Sequence, residues 1–211
     1  IGIDLGIKDL IVTSGGIKVS NPKHLQIILH HLKYLSRQHS KKKKGSNNKK
    51  RSQLKVALCH EKITNQRKDF LHKLSSELVK NHDTLCFESL QIENMVKNHK
   101  LAQAIQGSGW GMFLEMCKYK AEWRGKNVLQ IPTFQASTKL CSLCGHTNHT
   151  LTLSDREWLC TNCGTLRDRD INAAINIKQY SLKNRGGSHR GKRGELPTLA
   201  GAANPEKPAC K

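Results

Sequence analysis

Two short motifs constrain this 211-residue chain more than anything else in it: Cys141-Ser142-Leu143-Cys144-Gly145 and Cys160-Thr161-Asn162-Cys163-Gly164, fifteen residues apart. In each C-x-x-C-G knuckle a tight turn offers two thiolates to one ion, and the glycine supplies the positive φ that turns amides towards sulfur. Four thiolates match a tetrahedral zinc, and the spacing falls in the range of zinc-binding modules. Such a site is closed, so its metal is structural. His146 and His149 lie nearby, but the quartet is complete without them. Two disulfides fit poorly with a reducing compartment and so basic a chain. Cys59, Cys86, Cys117 and Cys210 have no ligand spacing; the first three sit in apolar segments and read as small core residues.

The charge is the second constraint. Lys and Arg number 36 against 16 Asp and Glu, a formal charge of +20, which points to a polyanionic partner and most simply to nucleic acid. Lys41–Lys44 and Lys49–Arg51, around Gly45–Asn48, put seven positive charges into eleven residues. That block reads as a loop between two helices, turned to solvent or to phosphate. No apolar run approaches the roughly 20 residues of a membrane span, and the first residues do not read as a signal peptide. The expected setting is the cytoplasm, with no membrane partner.

Periodicity divides the chain into α and β segments. Ile1–Gly6, Leu10–Thr13 and Ile17–Ser20 read as a β-meander turned by Ser14-Gly15-Gly16, with Ile1–Leu5 expected as a frayed edge strand. From Pro22 the pattern is helical: Leu25, Ile28, Leu29, Leu32 and Leu35 share one face. A longer helix is expected from about Ser52 to His82, with Leu54, Leu58, Leu71, Leu74 and Leu78 on its apolar side, paired antiparallel with the first. Thr84–Leu90 reads as a buried strand, followed by a polar loop. A helix over Gly109–Arg124 carries Trp110, Phe113, Met116 and Cys117 inward, and Val128–Ile131 is a strand stopped by Pro132. Asp170–Leu182 is a last helix, whose Ala173-Ala174 pair permits close packing. The expected division is a core over 1–140, a zinc ribbon over 141–164, the end of the core over 165–183 and a disordered basic tail over 184–211.

With acids so scarce, those in apolar surroundings stand out. Asp4 lies inside Ile-Gly-Ile-Asp-Leu-Gly and Glu88 inside Leu-Cys-Phe-Glu-Ser-Leu, where an unpaired carboxylate is costly to bury. A strand-end position or an ion pair would also accommodate each. Asp170, after Asp168-Arg169, is either a helix N-cap or a metal ligand. Three carboxylates from separate segments at one sheet edge are what a pair of Mg2+ ions requires for phosphodiester hydrolysis. The order strand-acid, strand-acid, helix-acid suggests an α/β, ribonuclease H-like mixed sheet with flanking helices.

Ile-Gly-Ile-Asp-Leu-Gly-Ile-Lys-Asp, Phe-Glu-Ser-Leu, the paired C-x-x-C-G knuckles and Asp-Arg-Asp-Ile-Asn-Ala-Ala-Ile-Asn-Ile resemble the TnpB (OrfB) family, insertion-sequence proteins related to type V CRISPR effectors. Asn65–Leu74 and Gly109-Trp110-Gly111 extend the resemblance, which runs to about Tyr180. It implies a RuvC-like nuclease with an inserted four-cysteine zinc ribbon. Asp4 would be the first catalytic acid, Glu88 the second and Asp170 the third, with Asp168 its close competitor. It further implies prokaryotic DNA cleavage directed by a guide RNA from the transposon end, and association with the nucleoid when DNA is bound. Family members carry a substantial guide-binding region ahead of the first acid, so a chain starting three residues before Asp4 is expected to be the catalytic part alone. The competing expectation is a non-catalytic DNA- or RNA-binding accessory or regulator of transposition.

Overall fold

The computed structural model describes residues 1–132, 138–152 and 154–186. β1 (Gly2–Leu5), β2 (Asp9–Thr13) and β3 (Lys18–Ser20) form the antiparallel meander expected from the opening residues. Gly16, at φ 88°, closes its second turn with a hydrogen bond to the Thr13 carbonyl. β4 (Thr84–Glu88) adds parallel to β1, and β5 (Asn127–Ile131) adds parallel to β4, so the order is β3-β2-β1-β4-β5. β1 is therefore the middle strand of five, not a frayed edge. Its apolar residues meet cover on both faces, as suits a near-continuous apolar run.

α1 (His24–Ser40) and α2 (Asn47–Asn81) form the expected antiparallel hairpin. Leu32, Cys59 and Ile63 are buried in its seam, with Leu25, Ile28, Leu35 and Val56 packed around them. α2 begins earlier than the spacing of its leucines predicts. The Ser46 hydroxyl caps it by accepting from the Lys49 amide at 3.2 Å, so Lys49, Lys50 and Arg51 lie in the first turns of a helix and not in the connection. Leu54 and Leu58, expected inside, are 60% and 53% exposed because the seam runs through Cys59 and Ile63 instead.

The two faces of the sheet are covered differently. The C-terminal half of α2 contributes buried Leu71, Leu74, Leu78 and Val79 to one face, with α5 (Trp110–Trp123) beside it. Phe87 of β4 meets Phe113 of α5 edge to face, at 6.1 Å between ring centres. The segment expected as a polar loop instead holds two short helices, α3 (Ile92–Val96) and α4 (His99–Ser108). Gly109, at φ 67°, ends α4 and starts α5. On the other face lies α6 (Arg169–Gly186), with Ala173, Ala174 and Ile177 fully buried and Ile177 packed with Cys86 and Ile131. A Cβ on Gly2 would fall 1.9 Å from the Ala174 carbonyl oxygen, so only glycine lets α6 lie this close to β1.

The cysteine module has its own small core of Cys141, Leu151, Trp158 and Cys160. Its hairpin pairs β6 (Glu157–Leu159) with β7 (Leu166–Asp168), and β7 runs directly into α6. α6 continues to Gly186, past residue 184 where the basic tail is expected to begin; residues 187–211, with Cys210, lie outside the described residues. Cys59, Cys86 and Cys117 are buried, as expected of small core residues. Among the described residues no helix is long and apolar enough to cross a membrane.

Candidate active site and metal centre

Parallel pairing of β1 with β4 sets the first two acids side by side. Ile3 is in register with Phe87, so Asp4 and Glu88 are the next pair along, at the C-terminal ends of adjacent parallel strands. Side chains alternate along a strand, so both carboxylates leave the sheet on the face where Gly2 and Cys86 meet α6. Asp170 stands in the first turn of that helix. Burial pushes the Asp4 carboxyl up to about 7, helped by the negative charges of Asp170 and then Glu88, and opposed by Arg169. Burial also raises Glu88. The fold thus brings Glu88 and Asp170 each within electrostatic reach of Asp4 at one sheet edge.

Asp168 and Asp170 have different work. Asp168 Oδ1 accepts from the amides of Asp170 at 3.1 Å and Ile171 at 3.0 Å, so Asp168 is the helix cap that the sequence leaves open for Asp170. Its Oδ2 takes a 2.5 Å ion pair from Lys18 of β3. Partial burial pulls its carboxyl upwards, but Lys18 and the two amides prevail and hold it below the usual range. Asp170 is gripped by two arginines: Arg169 on Oδ1 at 3.0 Å and Arg156, from the turn before β6, on Oδ2 at 3.1 Å. The Arg156 side chain is 53% exposed, whereas that of Arg169 is 11% exposed. The ribbon therefore reaches the sheet edge through a guanidinium.

All four cysteine sulfurs lie within 4.8 Å of one another. Cys141 Sγ is 3.8 Å from Cys163 Sγ, and Cys144 Sγ is 3.6 Å from Cys160 Sγ. A tetrahedron with Zn–S bonds of about 2.3 Å has edges of about 3.8 Å, so the cluster can hold zinc, while disulfides at about 2.05 Å are excluded. The two knuckles are built alike. Gly145 N donates to Cys141 O at 2.9 Å and Gly164 N to Cys160 O at 2.8 Å, with φ of 75° and 65° at the glycines. Hydrogen bonding from the Thr165 hydroxyl and amide pulls the Cys163 thiol down to about 6, which favours the ligating thiolate.

Asn172 and Asn176 fix this module to α6. Both are 1% exposed, and both side-chain amides donate to the Leu140 carbonyl at 2.7 Å. Asn172 Oδ1 accepts from the Ser142 amide at 2.9 Å. The first knuckle is thereby tied to the helix that starts with Asp170. Inspection of the sequence for acids and cysteines passes over these residues. The available signal is an Asn-x-x-x-Asn spacing, one turn apart, inside the otherwise apolar Ile171–Ile177 run.

Similarity to known proteins covers both parts. The OrfB_IS605 family model, described as a probable transposase, matches residues 1–99, and the Cas12f1-like TNB domain model matches residues 110–177. A putative RNA-guided DNA endonuclease of Streptomyces pristinaespiralis is 44% identical over 182 residues, covering 86% of this chain and 45% of that protein. The putative RNA-guided DNA endonuclease InsQ of Escherichia coli (strain K12) is 32% identical over 192 residues, covering 84% and 48%. The chain spans about half the length of these curated relatives. The cryo-EM structure of a Cas12f1–sgRNA–target DNA complex superposes with a TM-score of 0.59 at 20% identity, covering 83% of this chain and 48% of that one, a likeness of fold.

Proposed function

The chain belongs to the TnpB/OrfB family, and from that membership we propose that it is the RuvC-like catalytic region of a metal-dependent, RNA-guided DNA endonuclease. One observation carries the reading: Asp4 sits at the end of the central strand with Glu88 and Asp170 both raising its affinity for a proton. Carboxylates crowded in this way repel one another, and divalent cations relieve the repulsion. The meander extended by two parallel strands, with acids at the ends of β1 and β4 and at the start of α6, supports the ribonuclease H-like assignment.

Asp4, Glu88 and Asp170 would hold two Mg2+ ions, hard cations suited to carboxylate oxygens. Bound there, the ions supply an activated water and stabilise the leaving 3′ oxygen of a phosphodiester. Asp168, capping α6 and paired with Lys18, holds the helix that presents Asp170 and is a positioning residue. Arg156 and Arg169 form ion pairs with Asp170 and offset its charge. Cys141, Cys144, Cys160 and Cys163 hold a structural zinc, and the basic surface grips DNA and a transposon-end guide RNA chiefly by phosphate contacts.

The test is DNA cleavage with Mg2+, by this chain and by this chain joined to the remainder of the Streptomyces relative and supplied with its RNA. Asp4→Ala, Glu88→Ala and Asp170→Ala should each abolish cutting while nucleic-acid binding persists. Equal cutting by parent and Asp4→Ala refutes the metal-site assignment. Binding without cleavage in every form favours the non-catalytic regulator.

A further inference from the structure

No Asp or Glu occurs between Asp9 and Glu61. That stretch carries twelve Lys and Arg: Lys18, Lys23, Lys33, Arg37, Lys41–Lys44, Lys49–Arg51 and Lys55. Nearly all of it folds into β3, α1 and the first turns of α2, so the outer part of the helical hairpin is a cationic arm without acidic residues of its own. Apart from Lys18, which pairs with Asp168, none of these cations forms an ion pair among the described residues.

A groove runs along this arm between α1 and α2, in two adjoining parts that share Tyr34, Leu35 and Lys55. The first, of about 740 Å3, has an apolar floor that includes Ile27 and Leu58, which are 75% and 53% exposed. The second, of about 390 Å3, leads outwards past Lys42 and Arg51. Tyr34 stands where they meet, 55% exposed, with no hydrogen bond or ring contact among the described residues. Its ring face is open next to a run of cations.

We propose that this groove binds a single strand of nucleic acid, with Tyr34 stacking on a base and Lys42, Arg51 and Lys55 contacting phosphates. The assignment rests on the nucleic-acid reading above and adds a location and a strandedness to it. Charge decides the occupant. An acid-free groove wall suits a polyanion, while an open aromatic ring over an apolar floor suits unpaired bases, which have exposed faces where a duplex has none. An amphipathic protein helix would use the apolar half but would leave the basic half without a purpose unless it were strongly acidic.

Binding of the full chain to labelled oligo-dT and oligo-U, followed by fluorescence anisotropy over a range of salt, tests this. Tyr34→Ala should weaken single-strand binding about 5- to 150-fold, Tyr34→Phe should retain it, and duplex binding should change little with either. The triple variant Lys42→Gln/Arg51→Gln/Lys55→Gln should flatten the slope of log affinity against log salt by about 2, roughly 0.7 for each lost phosphate contact. Ultraviolet crosslinking of iodouridine oligonucleotides should mark peptides containing Tyr34. These side chains are exposed, and matching circular dichroism would establish that the variants fold. Unchanged single-strand binding by Tyr34→Ala, or crosslinks confined to the ribbon and sheet edge, overturns the groove while leaving the nuclease reading in place. A dimer that closes this face and does not yield to oligonucleotide, or displacement of the strand only by an acidic helical peptide, assigns the groove to a protein and also overturns it. If the parent chain binds no nucleic acid, both readings fall together.

Discussion

Asp4 is the residue on which the site turns. Its folded carboxyl keeps its proton up to about 7, while an ordinary aspartate loses it near 3.8. Unfolding between those values releases a proton, so the metal-free protein loses stability as pH rises through that window and regains none of it above. Asp4→Asn removes the buried charge. It should raise neutral-pH stability of the chelator-treated protein by on the order of 1–3 kcal/mol and flatten the pH dependence, while eliminating cleavage. Urea denaturation of parent and variant at about pH 5 and about pH 8 checks this, and coincident curves at the higher pH would refute it. Asp4 and Glu88 were legible because a lone acid in an apolar run has few other uses. Asp168 and Asp170 were not separable, since either could cap the helix. The choice depends on where β7 ends and α6 begins, and on Lys18, which lies 150 residues away in sequence.

At the level of elements, the legible parts were those whose packing pattern is local. The meander, the helical hairpin, α5 and the two knuckles all announce themselves within one period of their own sequence. The central position of β1 was hidden because its neighbour β4 arrives only after the 35-residue α2. The start of α2 was masked by lysines, which read as loop although Ser46 supplies a good cap. The ribbon's attachment was also hidden, since it consists of side-chain amides bound to backbone. Asn172→Ala with Asn176→Ala leaves the Leu140 carbonyl and the Ser142 amide short of partners, at a cost of about 1–3 kcal/mol for each buried group left unpaired. Hydrogen exchange should show faster opening around Leu140–Ser142 in that double variant with the zinc still bound. Loss of the metal as well, or no change in exchange, would mean that the ribbon docks by other contacts.

Among the described residues, the main core and the core of the cysteine module differ greatly in size. One is spread over the sheet, α2 and α5; the other is four residues around the cysteines. The small one has too little apolar surface to fold unaided, and a metal held by the four cysteines would supply what it lacks. Metal analysis should find about one zinc per chain, and chelation should unfold the ribbon first, so that Trp158 fluorescence changes before the sheet melts. A single coincident transition would contradict this independence. The charge is unevenly spread as well: Asp4, Glu88, Asp168 and Asp170 gather at the sheet edge, while the stretch from Leu10 to His60 carries no acid. Arg51 precedes Leu71, where α2 enters the main core, by twenty residues of unbroken helix, or about 30 Å at 1.5 Å per residue. That length is about nine steps of duplex at 3.4 Å. α2 is thus a ruler, and inserting or removing two turns within it would shift the spacing between the proposed strand groove and the proposed metal site, with both ends chemically untouched.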